Sequence, residues 1–468
     1  MAEQAASLID GTPSQVGESI TVIDPFTGES IGSTHECGTQ TVDLAVRAAS
    51  RTFEEWSRTP VDERAVVLER AADLLDQRSA DVASTVTREM GMPISLATVT
   101  QSQLPASVLR AAAGTARSFP WIEDIDGAQL QRRASGVVAA ITPWNMPVHQ
   151  IVAKVSAALG AGCTVVLKPS EATPFDAVAI AQIFLDAGLP RGAFNVVQGT
   201  GEITGSALAA HPGIAHVSFT GSVGAGRTVA ALAAGTLART TLELGGKSPA
   251  VILPDADLDA AIAGALGSAL VNSGQACNAP TRMVIPVQSA GEIEQRIAAV
   301  AATLVLGDPS DPATTHGPLA SKRQLDRVVD YAQSAIADGG RLVVGTGKPE
   351  SGCFMAPTVV ADLPSTARAV REEIFGPVVV LQTYRDIDDA VRIANDSDFG
   401  LSAEVWSGER DAAKLVASKL HVGQVKVNGI RTRERPSVPF GGVKQSGYGR
   451  ELGALGLGEF TDVTAVMA

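Results

Sequence analysis

The spacing of hydrophobic positions changes character along the chain. Residues 20–33 (ITVIDPFTGESIGS) alternate apolar and polar positions around Asp24-Pro25 and Thr27-Gly28, which predicts a strand, a turn and a second strand. From residue 41 to 58 apolar residues recur at helical spacing. Further helical runs start near Asp62 and near Ala80, and the last should stop at Gly91, with Pro93 beyond it. After Gly136 short apolar runs take over, at 137–141 (VVAAI), 164–167 (TVVL), 194–197 (FNVV), 216–219 (HVSF) and 250–253 (AVIL). Each run leads through a turn into a helical pattern, and the rhythm returns at 282–287, 342–344, 378–382 and 425–428. Repeated strand–turn–helix units predict parallel sheets with crossover helices, so the expected fold is α/β with two such domains in series.

Composition narrows the function. With 37 basic and 50 acidic residues among 468, the net charge is −13, which argues against a nucleic-acid partner. Hydrophobic residues at 45% and charged ones at 19% describe a globular chain. The four cysteines, Cys37, Cys163, Cys277 and Cys353, are far apart and lack a C-x-x-C pair, so neither a metal site nor a disulfide framework is expected. The N-terminal MAEQAASLID has no basic region and no apolar core, unlike a signal peptide. Two charge-free stretches, 134–153 and 260–281, contain Pro, Asn, His and Gln or Gly, Ser, Asn and Gln. They read as buried segments near a site rather than membrane spans. The expectation is a cytoplasmic protein with no membrane partner.

Several short motifs could carry chemistry. Gly221-Ser222-Val223-Gly224-Ala225-Gly226 follows an apolar run and opens a helical one, a context in which helix N–H groups meet a phosphate. Gly199-Thr200-Gly201, with Gly205, is a second glycine turn. Either is equally well an ordinary tight turn between strand and helix. Lys168-Pro169-Ser170-Glu171 also follows a strand, and its Glu could accept ribose hydroxyls. In Pro143-Trp144-Asn145-Met146-Pro147, Asn145 is placed as a helix N-cap whose amide could also serve an oxyanion. Cys277 sits at a Gly-Gln turn beside Asn278, an unusual setting for a core cysteine. Glu243 lies between two leucines, where desolvation should raise its pKa and suit it to general-base work.

Taken together, and in order, these segments resemble the NAD(P)-dependent aldehyde dehydrogenase superfamily. The matching stretches are PWN (143–145), KPSE (168–171), FTGSVGAG (219–226), LELGGKSP (242–249), GQAC (274–277), EEIFGPV (372–378) and PFGGVKQSGYGRELG (439–453). The resemblance runs from the Asp24-Pro25 turn to the C-terminus. It implies a Rossmann-like NAD-binding domain (1–115 and 136–245), a catalytic domain (246–445) and a small β-arm for oligomerisation (116–135 and 446–468). A homodimer or homotetramer would follow.

The resemblance also implies roles. Cys277 would be the nucleophile, Asn145 and the Cys277 backbone N–H the oxyanion donors, and Glu243 the base that activates water against a thioester. Lys154 would help relay protons. NAD would be held by Thr142, Pro143, Trp144, Lys168, Ser170, Glu171, Gly201, Gly205, Phe219, Thr220, Gly221, Ser222, Leu244, Gly245, Glu373 and Phe375, and Glu171 would favour NAD over NADP. Met146, His149, Ala153, Ala276, Asn278 and Phe440 would line the aldehyde tunnel, whose floor Pro280 reshapes. Arg431 and Arg433 could meet a carboxylated aldehyde or could lie in a solvated loop. Two alternatives stand beside hydrolytic aldehyde oxidation: a CoA-acylating semialdehyde dehydrogenase, disfavoured by Glu243, and a non-catalytic binding or scaffold relative.

Overall fold

A computed structural model of the chain describes residues 3–347, 351–430 and 435–467. Its two large sheets are mostly parallel, as the rhythm of apolar runs predicts. The first has eight strands, and its parallel centre runs in the order Arg239–Glu243, His216–Thr220, Val137–Ile141, Thr164–Lys168, Phe194–Val196. Both faces are covered. In Val137–Ile141, Val138 and Ala140 join one hydrophobic cluster while Val137, Ala139 and Ile141 join another. Burial on both sides explains why the run is continuously apolar rather than alternating.

The strand order places a cleft. After Val137–Ile141 the chain adds strands on one side; after Phe194–Val196 it crosses back to lay His216–Thr220 on the other. The carboxyl ends of Val137–Ile141 and His216–Thr220 therefore diverge at a topological switch point, where open α/β sheets bind ligands. Pro143, Trp144 and Asn145 leave one of these strand ends, and Gly221 and Ser222 leave the other.

The second sheet has seven strands, in the order Arg341–Val344, Thr358–Ala361, Val378–Tyr384, Arg282–Pro286, Pro249–Ile252, Ser402–Trp406, Gln424–Val427. Two of these, Thr358–Ala361 and Ser402–Trp406, were not among the runs read from sequence, nor was Arg239–Glu243 in the first sheet. A three-stranded antiparallel arm pairs Ile122–Ile125 with Ala128–Ala134 and the latter with Thr461–Met467. Gly447–Tyr448, inside the expected arm segment, instead pairs with Arg239–Glu243 of the first sheet. The helices Gly38–Trp56, Val61–Gln77 and Ser79–Met90 match expectation, and the third ends on Gly91. No helix of the described residues is long and apolar enough to cross a membrane.

Candidate active site

Cys277 follows a turn held in an uncommon backbone conformation. Asn272, Ser273 and Gly274 take successive positive φ values of 52°, 54° and 75°. Each non-glycine residue there costs on the order of 1 kcal/mol or more, so the turn persists only because its surroundings over-determine it. Ser273 Oγ donates to the Gly317 carbonyl (2.8 Å), and the Gln275 side chain accepts from Ala320 N (2.9 Å). Gly274 is obligatory, since a side chain there would collide with the Gly376 carbonyl.

Two cavities meet at this cysteine, and the residues lining both are Asn145 and Cys277. One cavity, about 170 Å³, is walled by Leu96, Leu104, Met146, Val271 and Phe440, with His149, Ala276, Asn278 and Pro280 beside them. The other, about 180 Å³, opens at the switch point and is lined by Pro143, Trp144, Thr220, Gly221, Ser222, Leu244, Gly245, Glu373 and Phe375. The tunnel residues Met146, His149, Ala276, Asn278 and Phe440 thus share the first cavity, and nine of the residues expected around a cofactor share the second.

The remaining expected cofactor residues lie outside this cavity. Lys168 ends the strand Thr164–Lys168, and Ser170 and Glu171 follow it, with Lys168 Nζ 3.3 Å from Glu171 Oε2. Thr142 donates its N–H to the Lys168 carbonyl, and Phe219 is buried in the sheet's hydrophobic cluster. Gly201 and Gly205 bound a short π-helical turn pinned by Glu36, whose carboxylate accepts from Thr200 N (2.8 Å), Thr200 Oγ1 (2.6 Å) and Thr204 Oγ1. Ser222 caps the helix Val223–Ala234 by accepting from Ala225 N at 3.2 Å.

Two expectations are corrected. Asn145 is not the N-cap of the helix Pro147–Ala161; Met146 is, because Asn145 Nδ2 is drawn across to the Gln275 carbonyl at 2.9 Å. Ala153 does not line the first cavity. It faces a separate small space near Val108, Leu452 and Leu457, one helical turn beyond His149. Lys154 is fully buried and hydrogen-bonds to Thr220 Oγ1 (2.7 Å) and Glu451. Arg431 and Arg433 lie outside the described residues.

Electrostatics set the resting state. Burial, reinforced by Glu373, Glu243 and Glu451, pushes the Cys277 thiol up to about 12, so it rests protonated. Glu243 ends the strand Arg239–Glu243, and both its carboxylate oxygens are buried without a hydrogen-bond partner among the described residues. Desolvation, then the nearby Glu451 charge, raises its pKa well above the ordinary carboxylate value. Glu373 is pushed up to about 7 by burial while accepting from Gly246 N at 2.9 Å. Trp144 and Phe375 meet edge-to-face, with ring centroids 5.5 Å apart.

Sequence reasoning missed several lining residues. Glu451 sits inside a matched motif, but nothing local marks it as buried. Gln324 and Arg327 reach the second cavity from the polar face of the helix Lys322–Ala337, holding the Phe375 and Glu373 carbonyls at 2.7 and 2.8 Å. Thr100 enters the first cavity from a π-helical segment, Thr98–Gln103, which no composition signal announces.

The fold agrees with what comparison shows. The family model described as "Aldehyde dehydrogenase family" matches residues 12–466, and the chain belongs to that family. It is 43% identical over 451 residues to a 3-succinoylsemialdehyde-pyridine dehydrogenase from a Pseudomonas species, covering 95% of this chain and 94% of that one. The structure of an aldehyde dehydrogenase C mutant from Pseudomonas syringae, complexed with NAD+ and octanal, superposes with TM-score 0.97 at 42% identity, over 99% and 96% of the two chains. An aldehyde dehydrogenase from Bacillus cereus in complex with NAD+ gives 0.95 at 34%, over 99% and 96%. This chain is an oxidoreductase that converts an aldehyde to a carboxylic acid.

Proposed function

We propose that the aldehyde enters the 170 Å³ cavity, NAD occupies the switch-point cavity, and the two meet at Cys277. The observation that carries this reading is the junction itself: one cysteine and one amide lie on the boundary of both spaces.

The second cavity fits a dinucleotide by its donor and acceptor set. Trp144 and Phe375 offer flat walls, Glu373 accepts ribose hydroxyls, and the helix starting at Val223 offers N–H groups to a pyrophosphate. Farther out, Lys168, Ser170 and Glu171 meet the adenosine ribose. NAD, when bound, supplies a cationic ring that accepts the hydride.

The chain's own residues do the rest. Cys277 Sγ gives up its proton to water in the cavity and adds to the carbonyl carbon, while the carbonyl electron pair moves onto oxygen. Asn145 Nδ2 spends one hydrogen on Gln275, which leaves the other for that oxyanion beside the Cys277 N–H. Loss of hydride leaves a thioester on Cys277. Glu243 then takes a proton from water, the hydroxide adds to the acyl carbon, and the thiolate departs. A buried carboxylate with no partner and a raised proton affinity suits that task. The ion pair of Lys154 with Glu451, itself a wall of the aldehyde cavity, offers the proton a way onward.

The apolar wall of Leu96, Leu104, Met146, Val271 and Phe440 suits an aliphatic or aryl aldehyde. The octanal bound in the Pseudomonas syringae structure and the pyridine semialdehyde named for the Pseudomonas relative are of these kinds. Rates over aliphatic, aromatic and carboxylated aldehydes test this, and a preference for charged substrates would contradict it. The arm's outer strand Thr461–Met467 is exposed along most of its length, an edge that a second subunit would cover in a dimer or dimer of dimers, read by light scattering. The four unpaired cysteines support a cytoplasmic setting.

Two predictions follow from the cofactor side. Glu171 favours NAD, because its carboxylate accepts ribose hydroxyls and repels a 2′-phosphate. The difference in kcat/KM over NADP should be about 10- to 150-fold, corresponding to about 1.4–3 kcal/mol. Lys168 opposes the effect but is already paired with Glu171. Glu171→Ser should narrow the gap mainly by improving NADP; equal use of both cofactors by the wild type would refute the role.

The second concerns pH. Glu373 must be ionised to accept ribose hydroxyls, and its carboxyl titrates at about 7 in the cofactor-free protein. NAD affinity should therefore rise from pH 6 to pH 8 by roughly tenfold, following the ionised fraction. Titration calorimetry at each pH checks this. A Glu373→Gln protein should show weaker binding and a flat profile.

A further inference from the structure

The oxyanion amide is held in a closed loop of three side chains. Asn145 Nδ2 donates to the Gln275 carbonyl (2.9 Å), Gln275 Nε2 donates to the Asn272 carbonyl (3.1 Å), and Asn272 Nδ2 donates to the Asn145 carbonyl (3.0 Å). Each amide reaches the backbone of the next, and the third returns to the first. All three residues are buried, with exposures of 4%, 0% and 2%. The ring joins two parts of the chain far apart in sequence, the end of strand Val137–Ile141 and the turn that carries the nucleophile. It also accounts for the left-handed backbone at Asn272. Asn tolerates that conformation better than most residues, and its amide adds a long-range bond to the turn.

We propose that Asn272 and Gln275 are positioning residues for the oxyanion donor: the ring fixes Asn145 relative to Cys277, so that the free N–H of Asn145 is in place before the aldehyde arrives. The proposal rests on Asn145 as an oxyanion donor and adds how that donor is held. The physical reason is preorganisation. A donor aimed in advance acts without reorganising during reaction, whereas an amide free to rotate must be ordered at each turnover. Because the ring is cyclic, losing any one bond loosens the whole, so its members should not contribute independently.

The test is a double-mutant cycle with Asn145. Asn272→Gly keeps the turn, since glycine takes a φ near 52° freely, and removes only the amide. Gln275→Glu keeps the acceptor for Ala320 N–H but no longer donates to Asn272; it serves if Asn272→Gly folds poorly. Asn145→Ala should lower kcat by about 10²- to 10³-fold. Asn272→Gly should lower kcat by about 10- to 100-fold with NAD affinity changed by less than about twofold, as expected for a misplaced rather than a missing group. The deciding value is the double variant Asn145→Ala/Asn272→Gly, which should be no slower than Asn145→Ala alone. Losses that multiply would overturn the proposal, because Asn272 would then act through something other than Asn145. A wild-type rate in both ring variants would overturn it too. If Asn145→Ala itself kept its rate, the oxyanion assignment would fall first and the ring inference with it.

Discussion

Cys277→Ala should lose aldehyde oxidation by a factor on the order of 10⁴ or more while still binding NAD. The substitution removes the sulfur at the junction of the two cavities and leaves Glu373, Phe375, Trp144 and Ser222 untouched. Near neutral pH the Cys277 thiol is uncharged in the folded and the unfolded chain alike, so stability should not fall with activity. Turnover and NAD affinity measured on one preparation give the answer. Residual activity near the wild-type level would exclude Cys277 as the nucleophile, and loss of NAD binding would mean that the cavity collapsed.

Glu243→Gln should slow the steady state by about 10²- to 10⁴-fold and spare the first turnover. The amide is nearly isosteric and sits in the same partnerless site, but it cannot take a proton from water. Rapid mixing should show a burst of NADH close to one equivalent of active sites, then a slow phase. An unchanged steady state would show that Glu243 is not the base. Equal loss of both phases would assign it the thiol proton as well. The raised proton affinity of Glu243 predicts a further signature: the wild-type deacylation rate should climb with pH as the carboxylate ionises, and the Gln variant should lose that limb.

Most of the fold was legible because parallel strands buried on both faces are written as unbroken apolar runs, as Val137–Ile141 and Thr164–Lys168 show. Ser402–Trp406 hid because its sequence, SAEVW, opens on a serine and carries a glutamate in mid-strand. Both are buried, and Glu404 accepts from the Trp406 indole N–H two residues on, at 3.1 Å. Thr358–Ala361 (TVVA) is a short apolar run like those that were read, and it was passed over. At the site, most motif residues singled out reach the two cavities, while Glu451, inside one motif, and Gln324, Arg327 and Thr100, outside them, were missed. Gln324 and Arg327 look like any polar face of an amphipathic helix. The N-cap at Asn145 was misplaced by one residue because its amide is claimed by Gln275, a partner 130 positions away. The partner of Lys154, Glu451, was not read from the sequence, since its burial depends on how the end of the chain folds back over the first sheet.

The central claim is that the acyl group passes through a covalent bond to Cys277, and acid-quenched peptide mass spectrometry tests it most directly. Wild-type and Glu243→Gln proteins are mixed with NAD and an aldehyde and stopped within the burst. The account predicts an added acyl mass on the peptide containing Cys277, transient in the wild type and persistent in the variant, in step with NADH. NADH formed while Cys277 stays unmodified in both proteins would contradict it.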